Sequence, residues 1–329
     1  MNLTVSASPH IRGKDTTARL MLDVVIALLP ALAAGMLFQG PRAGLVAAVC
    51  VLSALAGEWL LRLVLRRHNT LSDGSALVTG LLLALTLPAS APYYVAAAGG
   101  LFAVVVVKGL CGGLGQNTFN PALGARAFLM LLFPACLTRF PALGSALFLG
   151  ELNPADVVTG ATPLHHMQMP ALPDVSLLDL FLGRAGGCIG EVSALALLLG
   201  GGWLVFRRVI TLRIPAAYLG TVAVLTLVFS KGDSPILWMA YSLLSGGVLL
   251  GALFMATDYA TSPVTKKGQL IFGVGCGLFT VLIRYFGSYN EGVCYSIMVM
   301  NLFVPFIDKY TKPVRFGVVK SDKKEGAAK

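Results

Sequence analysis

Apolar runs near the length that crosses a bilayer fill almost the whole of this chain. About ten can be marked, at roughly 20–38, 43–65, 75–88, 93–110 and 123–138, then 189–206, 214–230, 236–256, 269–286 and 293–307. A soluble domain carries about 25% charged residues; here the figure is 12%, against 56% hydrophobic over 329 residues. Such a chain cannot clothe its surface for water. The expected fold is an all-α polytopic membrane protein. The polar start, Met1 to Lys14, leads straight into the first apolar run with no small-residue cleavage site, so that run is read as a retained span.

The formal charge of +10 raises nucleic-acid binding, but the basic residues sit in short loops between apolar runs, as topology charges do. No nucleic-acid partner is expected. One set of loops holds Arg12, Lys14 and Arg19; Arg66 and Arg67; Arg126; Arg207, Arg208 and Arg213; Lys266 and Lys267; and a Lys-rich tail. The alternate set is nearly bare: Arg42, the Pro88–Tyr93 turn, Lys231 with Asp233, and Glu291. This alternation places both termini in the cytoplasm of a bacterial cell, in its inner membrane. The six cysteines are scattered without a CxxC pair, which argues against a metal or iron–sulfur site built by this chain alone.

Residues 139–188 break the pattern of short connections. Arg139 and Arg184 face Glu151, Asp156, Asp174 and Asp179 there, so the segment reads as an acidic, proline-spaced extracytoplasmic loop with a function of its own. It divides the chain into a first five-helix half (1–138), the loop (139–188), a second five-helix half (189–310) and a cytoplasmic tail (311–329). Five spans on each side give halves of opposite orientation. A weak internal echo agrees: Gly80-Leu-Leu-Leu-Ala-Leu-Thr86-Leu-Pro-Ala-Ser-Ala-Pro92 can be laid on Gly251-Ala-Leu-Phe-Met-Ala-Thr257-Asp-Tyr-Ala-Thr-Ser-Pro263. Two inverted repeats with broken helices would put a site where the breaks meet.

Within the long loop lies Asp156-Val-Val-Thr-Gly-Ala-Thr162. By residue type alone it is a small-residue turn or helix cap. The pattern Asp-x-x-[Ser/Thr]-Gly-Ala-Thr, however, resembles the flavinylation motif of the D subunit of the Rnf-type electron transport complex. The B subunit of the sodium-translocating NADH:quinone reductase shares it. The resemblance implies that a flavin transferase joins FMN to Thr162 through a phosphoester. Asp156 would belong to the recognition sequence, and Gly160 and Ala161 would leave the hydroxyl open to approach. Thr159 stands where serine is common.

Further segments resemble the same family in the same order: Ser72-Asp-Gly-Ser-Ala-Leu-Val-Thr-Gly80, Gly112-Gly-Leu-Gly-Gln-Asn117-Thr-Phe-Asn120-Pro-Ala122 and Phe254-Met-Ala-Thr-Asp258-Tyr-Ala-Thr261-Ser-Pro263. Cys188-Ile-Gly-Glu191 stands where Ser-x-Gly-Glu is expected. The length, without a long N-terminal extension, favours the Rnf-type protein over the quinone-reductase one. Asn117 and Asn120 can serve to satisfy exposed backbone at a broken helix; the resemblance suggests instead a second, non-covalent flavin (riboflavin), which amides can hold without adding charge.

Asp23, Glu58, Arg62, Lys108, Glu191, Asp258 and Arg284 fall within or beside spans, where charge is costly. Glu58 and Arg62 are spaced to pair at i, i+4, and Lys108 and Arg284 are placed to snorkel from span ends. Asp258, with Thr257 and Thr261, is a candidate ion-path cluster.

The resemblance implies a flavin-carrying redox subunit rather than a stand-alone enzyme. It would belong to a complex passing electrons between ferredoxin and NAD, coupled to Na+ or H+ movement. Its partners would be the other Rnf-type subunits, the flavin transferase and the lipid bilayer. No dinucleotide fingerprint is present, so NAD would react elsewhere. The alternative is a small-solute channel or transporter, which an inverted repeat fits equally well.

Overall fold

Where the apolar runs are unbroken the chain forms long helices, because backbone in lipid must pair its own N–H and C=O groups. The computed structural model describes residues 16–66, 71–110, 113, 115–140, 173, 175–184, 186–232, 234–287 and 292–313. Every regular element among them is helical.

Helices α1 (Thr17–Gln39) and α2 (Pro41–Val64) turn into each other at Gly40. A 3₁₀ turn at Leu71–Asp73 leads into the short α3 (Ser75–Leu85). Helix α4 (Tyr93–Phe102) runs on in π-helical register over Ala103–Leu110. Asn120 and Pro121 then start α5 (Pro121–Leu132), the side chain of Asn120 accepting from Ala122 N. Pro134 opens one further turn, α6 (Pro134–Leu137).

After the long loop come α7 (Leu177–Leu182), α8 (Ala194–Phe206) and α9 (Arg213–Val228). Next are α10 (Pro235–Leu244) and α11 (Val248–Leu250), the latter continuing in π register over Gly251–Met255. The last two are α12 (Lys266–Phe286) and α13 (Val293–Thr311).

Several helices depart from the expected runs. The run at 236–256 is two helices bent by 61°, broken at Ser245-Gly-Gly, where Gly246 and Gly247 take φ of +70° and +68° that side chains resist. The run at 189–206 starts its helix only at Ala194, capped by Ser193. Ile189 N and Gly190 N instead donate to Leu87 O (2.9 Å) and Leu85 O (2.8 Å), pairing with the end of α3. The run at 123–138 is interrupted at Phe133.

By length and composition three helices qualify as membrane crossings: α1, α2 and α12. The bent α10–α11 pair makes a fourth. Helices α3, α4, α5, α8 and α9 are apolar but shorter.

Helix α2 packs on α3 and α4; correspondingly, α9 packs on α10 and α12. Helix α1 crosses α8, and α5 meets α13, so the parts before and after the long loop interlock. One continuous core of small and branched residues results. Large apolar side chains point outward as well, among them Leu37, Phe206 and Phe286, each at least 80% exposed. Lipid-facing surface explains these, since a water-facing surface would not carry so many.

Candidate functional site

The two turns that follow broken helices, 113–120 and 256–260, converge on one pocket. Asn117, Asn120, Thr257 and Asp258 all line it, with Ser75, Thr79 and Lys108 on the same wall system and a cavity of about 80 Å³ between them. Its remaining walls are apolar, from Met21 and Val24 of α1 to Leu82 of α3 and Phe254 of the π segment. In sequence the asparagines and Asp258 are two separate features; the fold joins them.

Each residue has its own local duty. Asn120 Oδ1 caps α5 by accepting from Ala122 N at 3.0 Å, and its Nδ2 donates to Met255 O at 3.3 Å, across to the later part of the chain. That is the backbone-satisfying role. Asn117 differs. Its side chain is buried, and Oδ1 has no hydrogen-bond partner among the described residues, although it lines the pocket. A buried amide oxygen without a donor costs on the order of 1–3 kcal/mol, so it calls for a donor that the described residues do not supply. Asp258 accepts from Thr261 Oγ1 (3.2 Å) and Ala260 N (3.5 Å). Thr257 Oγ1 donates to Leu253 O at 2.7 Å, closing the preceding helix, and Thr261 does not itself line the pocket.

Sequence reasoning misses the charge cluster on the pocket wall. Lys108 is only 2% exposed and does not snorkel. Its Nζ donates to Glu58 Oε1 at 2.8 Å and to Ser75 Oγ at 2.6 Å, while Ser75 N and Oγ donate to Asp73 Oδ1. The i, i+4 contact of Arg62 with Glu58 is 4.0 Å long, so Lys108 is the closer partner. The Ser72-Asp-Gly-Ser segment and the costly charges Glu58 and Lys108 are the signals in the sequence that point to this cluster.

A second, smaller cavity of about 20 Å³ lies between Thr86, Leu123, Arg126, Glu191, Gly247, Met255 and Cys294. The loop-charge pattern assigns Arg126 to a cytoplasmic loop; it is instead buried within α5, donates to Thr86 O, and reaches Cys188 Sγ at 3.6 Å. Arg284, placed by its sequence position to snorkel, is 8% exposed and caps the end of α10, donating to Ser242 O (2.7 Å), Ser245 O (2.9 Å) and Gly246 O (3.0 Å). Arg42, assigned to a bare outer loop, is buried and donates to Ala89 O at 3.0 Å. Free helix-end carbonyls in an apolar interior need such donors. Asp23 pairs with Arg207 through both carboxylate oxygens, at 3.2 to 3.3 Å, and ties α1 to the end of α8.

The profile of the NQR2, RnfD, RnfE family matches residues 4–317. The chain belongs to this family. It is 48% identical, over 100% of its length and 99% of the relative's, to the D subunit of the Na(+)-translocating ferredoxin:NAD(+) oxidoreductase complex of Acetobacterium woodii. Identity to the D subunit of the proton-translocating ferredoxin:NAD(+) oxidoreductase complex of Clostridium ljungdahlii is 40%, over 95% of this chain and 96% of the other. It is also 40% to the D subunit of the ion-translocating oxidoreductase complex of Stutzerimonas stutzeri, covering 92% and 93%.

Family membership and the apolar helices make the chain a membrane protein, and over 92% or more of its length it is similar to D subunits of Rnf-type ion-translocating complexes. Thr162, with Asp156, Gly160 and Ala161, lies outside the described residues. What is described of the long loop is its returning arm. Val175 O accepts from Tyr241 on α10 at 2.7 Å, Gly187 O accepts from Gln39 at 2.7 Å, and α7 lies against α8 and α10.

Proposed function

We propose that this chain is the flavin-carrying membrane subunit of an Rnf-type complex that passes electrons between ferredoxin and NAD and couples the flow to Na+ or H+ translocation. The observation that carries the proposal is end-to-end likeness, at 48% identity, to a chain named as the D subunit of such a complex. The Asp156-to-Thr162 segment supports covalent FMN on Thr162, made by a flavin transferase, since it supplies an unhindered hydroxyl nucleophile.

A second, non-covalent flavin (riboflavin) is assigned to the larger pocket; at about 80 Å³ the cavity is smaller than an isoalloxazine ring system, so binding requires its walls to part. Apolar walls suit the faces of a ring system, and the donor-less Asn117 amide would meet its polar edge. Such a group would supply one- and two-electron chemistry. Asn117 would hold it, while Asn120 and Thr257 keep the walls in place. Asp258, held by Thr261, sits where a cation entering the same pocket would find a carboxylate.

Ten spans in two inverted five-helix repeats complete the proposal, with both termini cytoplasmic and the flavin loop outside. In support, the threonines of the 80–92 and 251–263 echo play similar local parts. Thr86 Oγ1 donates to Leu83 O at 2.6 Å and Thr257 Oγ1 to Leu253 O at 2.7 Å, each at the end of a broken helix. Pro92 stands at the N-cap of α4, and Pro263 lies two residues before the Thr265 cap of α12.

The test uses membrane vesicles holding the whole complex. Thr162→Val in this chain abolishes ferredoxin-linked NAD reduction together with ion uptake. Full coupled rates in the variant contradict the proposal. Solute flux through this chain alone in liposomes, without any flavin, favours the channel alternative.

A further inference from the structure

We infer that Lys108 is the positioning residue that sets the redox potential of the ring system held in the larger pocket. The inference rests on the non-covalent flavin proposed above. Lys108 lies in the π-helical stretch of α4, a register often found at functional sites. Of its three N–H donors, one goes to Glu58 and one to Ser75 Oγ, and the lysine itself lines the pocket. Glu58 does not line it. Of the buried ion pair, then, only the lysine belongs to the pocket lining.

A ring system that takes up electrons gains negative charge. In an interior of low dielectric a fixed cation beside it favours the charged, reduced form and raises the potential. Asp258 lines the same pocket and acts in the opposite sense. The two walls thus hold opposing charges, and Lys108 is the cationic one. Ser75, bonded to Asp73 at the start of α3, fixes the ammonium from the side, so the charge does not wander.

The experiment uses the full chain with Thr162→Val, so that only non-covalent flavin is read, purified in detergent and titrated spectroelectrochemically. Lys108→Met strands a buried carboxylate and can unfold the chain, so the paired variant Glu58→Gln with Lys108→Met is made beside it. Bound flavin stays near the native amount in the paired variant, and in Lys108→Met where that chain folds. The midpoint potential falls in Lys108→Met and falls by less in the double variant, while Lys108→Arg restores it. An unchanged potential in the double variant with flavin retained overturns the inference, as does loss of flavin from a folded double variant. If the native chain itself yields no extractable flavin, the pocket reading fails, and this inference falls with it for that distinct reason.

Discussion

The two broken helices end differently. At the end of α3, Arg126 donates to Thr86 O while Ile189 N and Gly190 N, from beyond the long loop, take the carbonyls of Leu87 and Leu85. At the end of α10 a single guanidinium, Arg284 of α12, takes three carbonyls, all from its own part of the chain. The first break is a joint between the two parts; the second is closed within one. A disturbance of the loop's returning arm is therefore transmitted to α3 through backbone. It reaches the α10 break through side chains: the Tyr241–Val175 contact, the packing of α7, and Glu191, which lies beside Gly247.

Arg284→Met tests this contrast hardest. It strands three carbonyls and costs about 3 kcal/mol or more of unfolding free energy, followed by helical circular dichroism in detergent. At the α3 break, Arg126→Met strands the Thr86 carbonyl, at a cost of about 1–2 kcal/mol there, while Leu85 and Leu87 keep their N–H donors; the contact with Cys188 Sγ is lost with it. Equal losses would remove the distinction between joint and closure.

Next in size is Gly190→Ala. A Cβ there would sit 2.7 Å from Leu85 Cβ and 2.9 Å from Leu85 O, so the strap must lift off α3. About 2 kcal/mol is expected, with faster amide exchange at Ile189 and Gly190. Exchange at the native rate would show that the joint is not held there.

Asn120→Ala removes the α5 cap and costs about 1 kcal/mol, while Asn120→Ser recovers most of it. Thr86→Val and Thr257→Val are the mildest. Each lowers stability by under about 1 kcal/mol and by similar amounts, since both hydroxyls only back-bond within their own helix. A large difference between the two would weaken the repeat.

Hydropathy makes the all-helical class and the long α1, α2 and α12 legible, but not the breaks at Phe133 and Ser245-Gly-Gly or the late start at Ala194, which caps and glycines set. The local bonds of Thr86 and Thr257 are legible too, because each acceptor lies three or four residues back in the same helix. The buried cations are not. Arg42, Lys108, Arg126 and Arg284 find acceptors about 40 to 50 residues away, and a charge near a span end reads in sequence as loop or snorkel. Convergence of Asn117 with Asp258 is equally hidden, being a product of how α5 meets the π segment after α11. The family resemblance picks out segments that line the pocket without showing that they share it.

The claim that this chain carries a covalent flavin is tested most directly on a denaturing gel. The chain is expressed with its flavin transferase, native and Thr162→Val side by side, and scanned for flavin fluorescence. The account predicts a fluorescent band for the native chain and none for the variant. A dark native band, with the transferase active on a known acceptor, would contradict it.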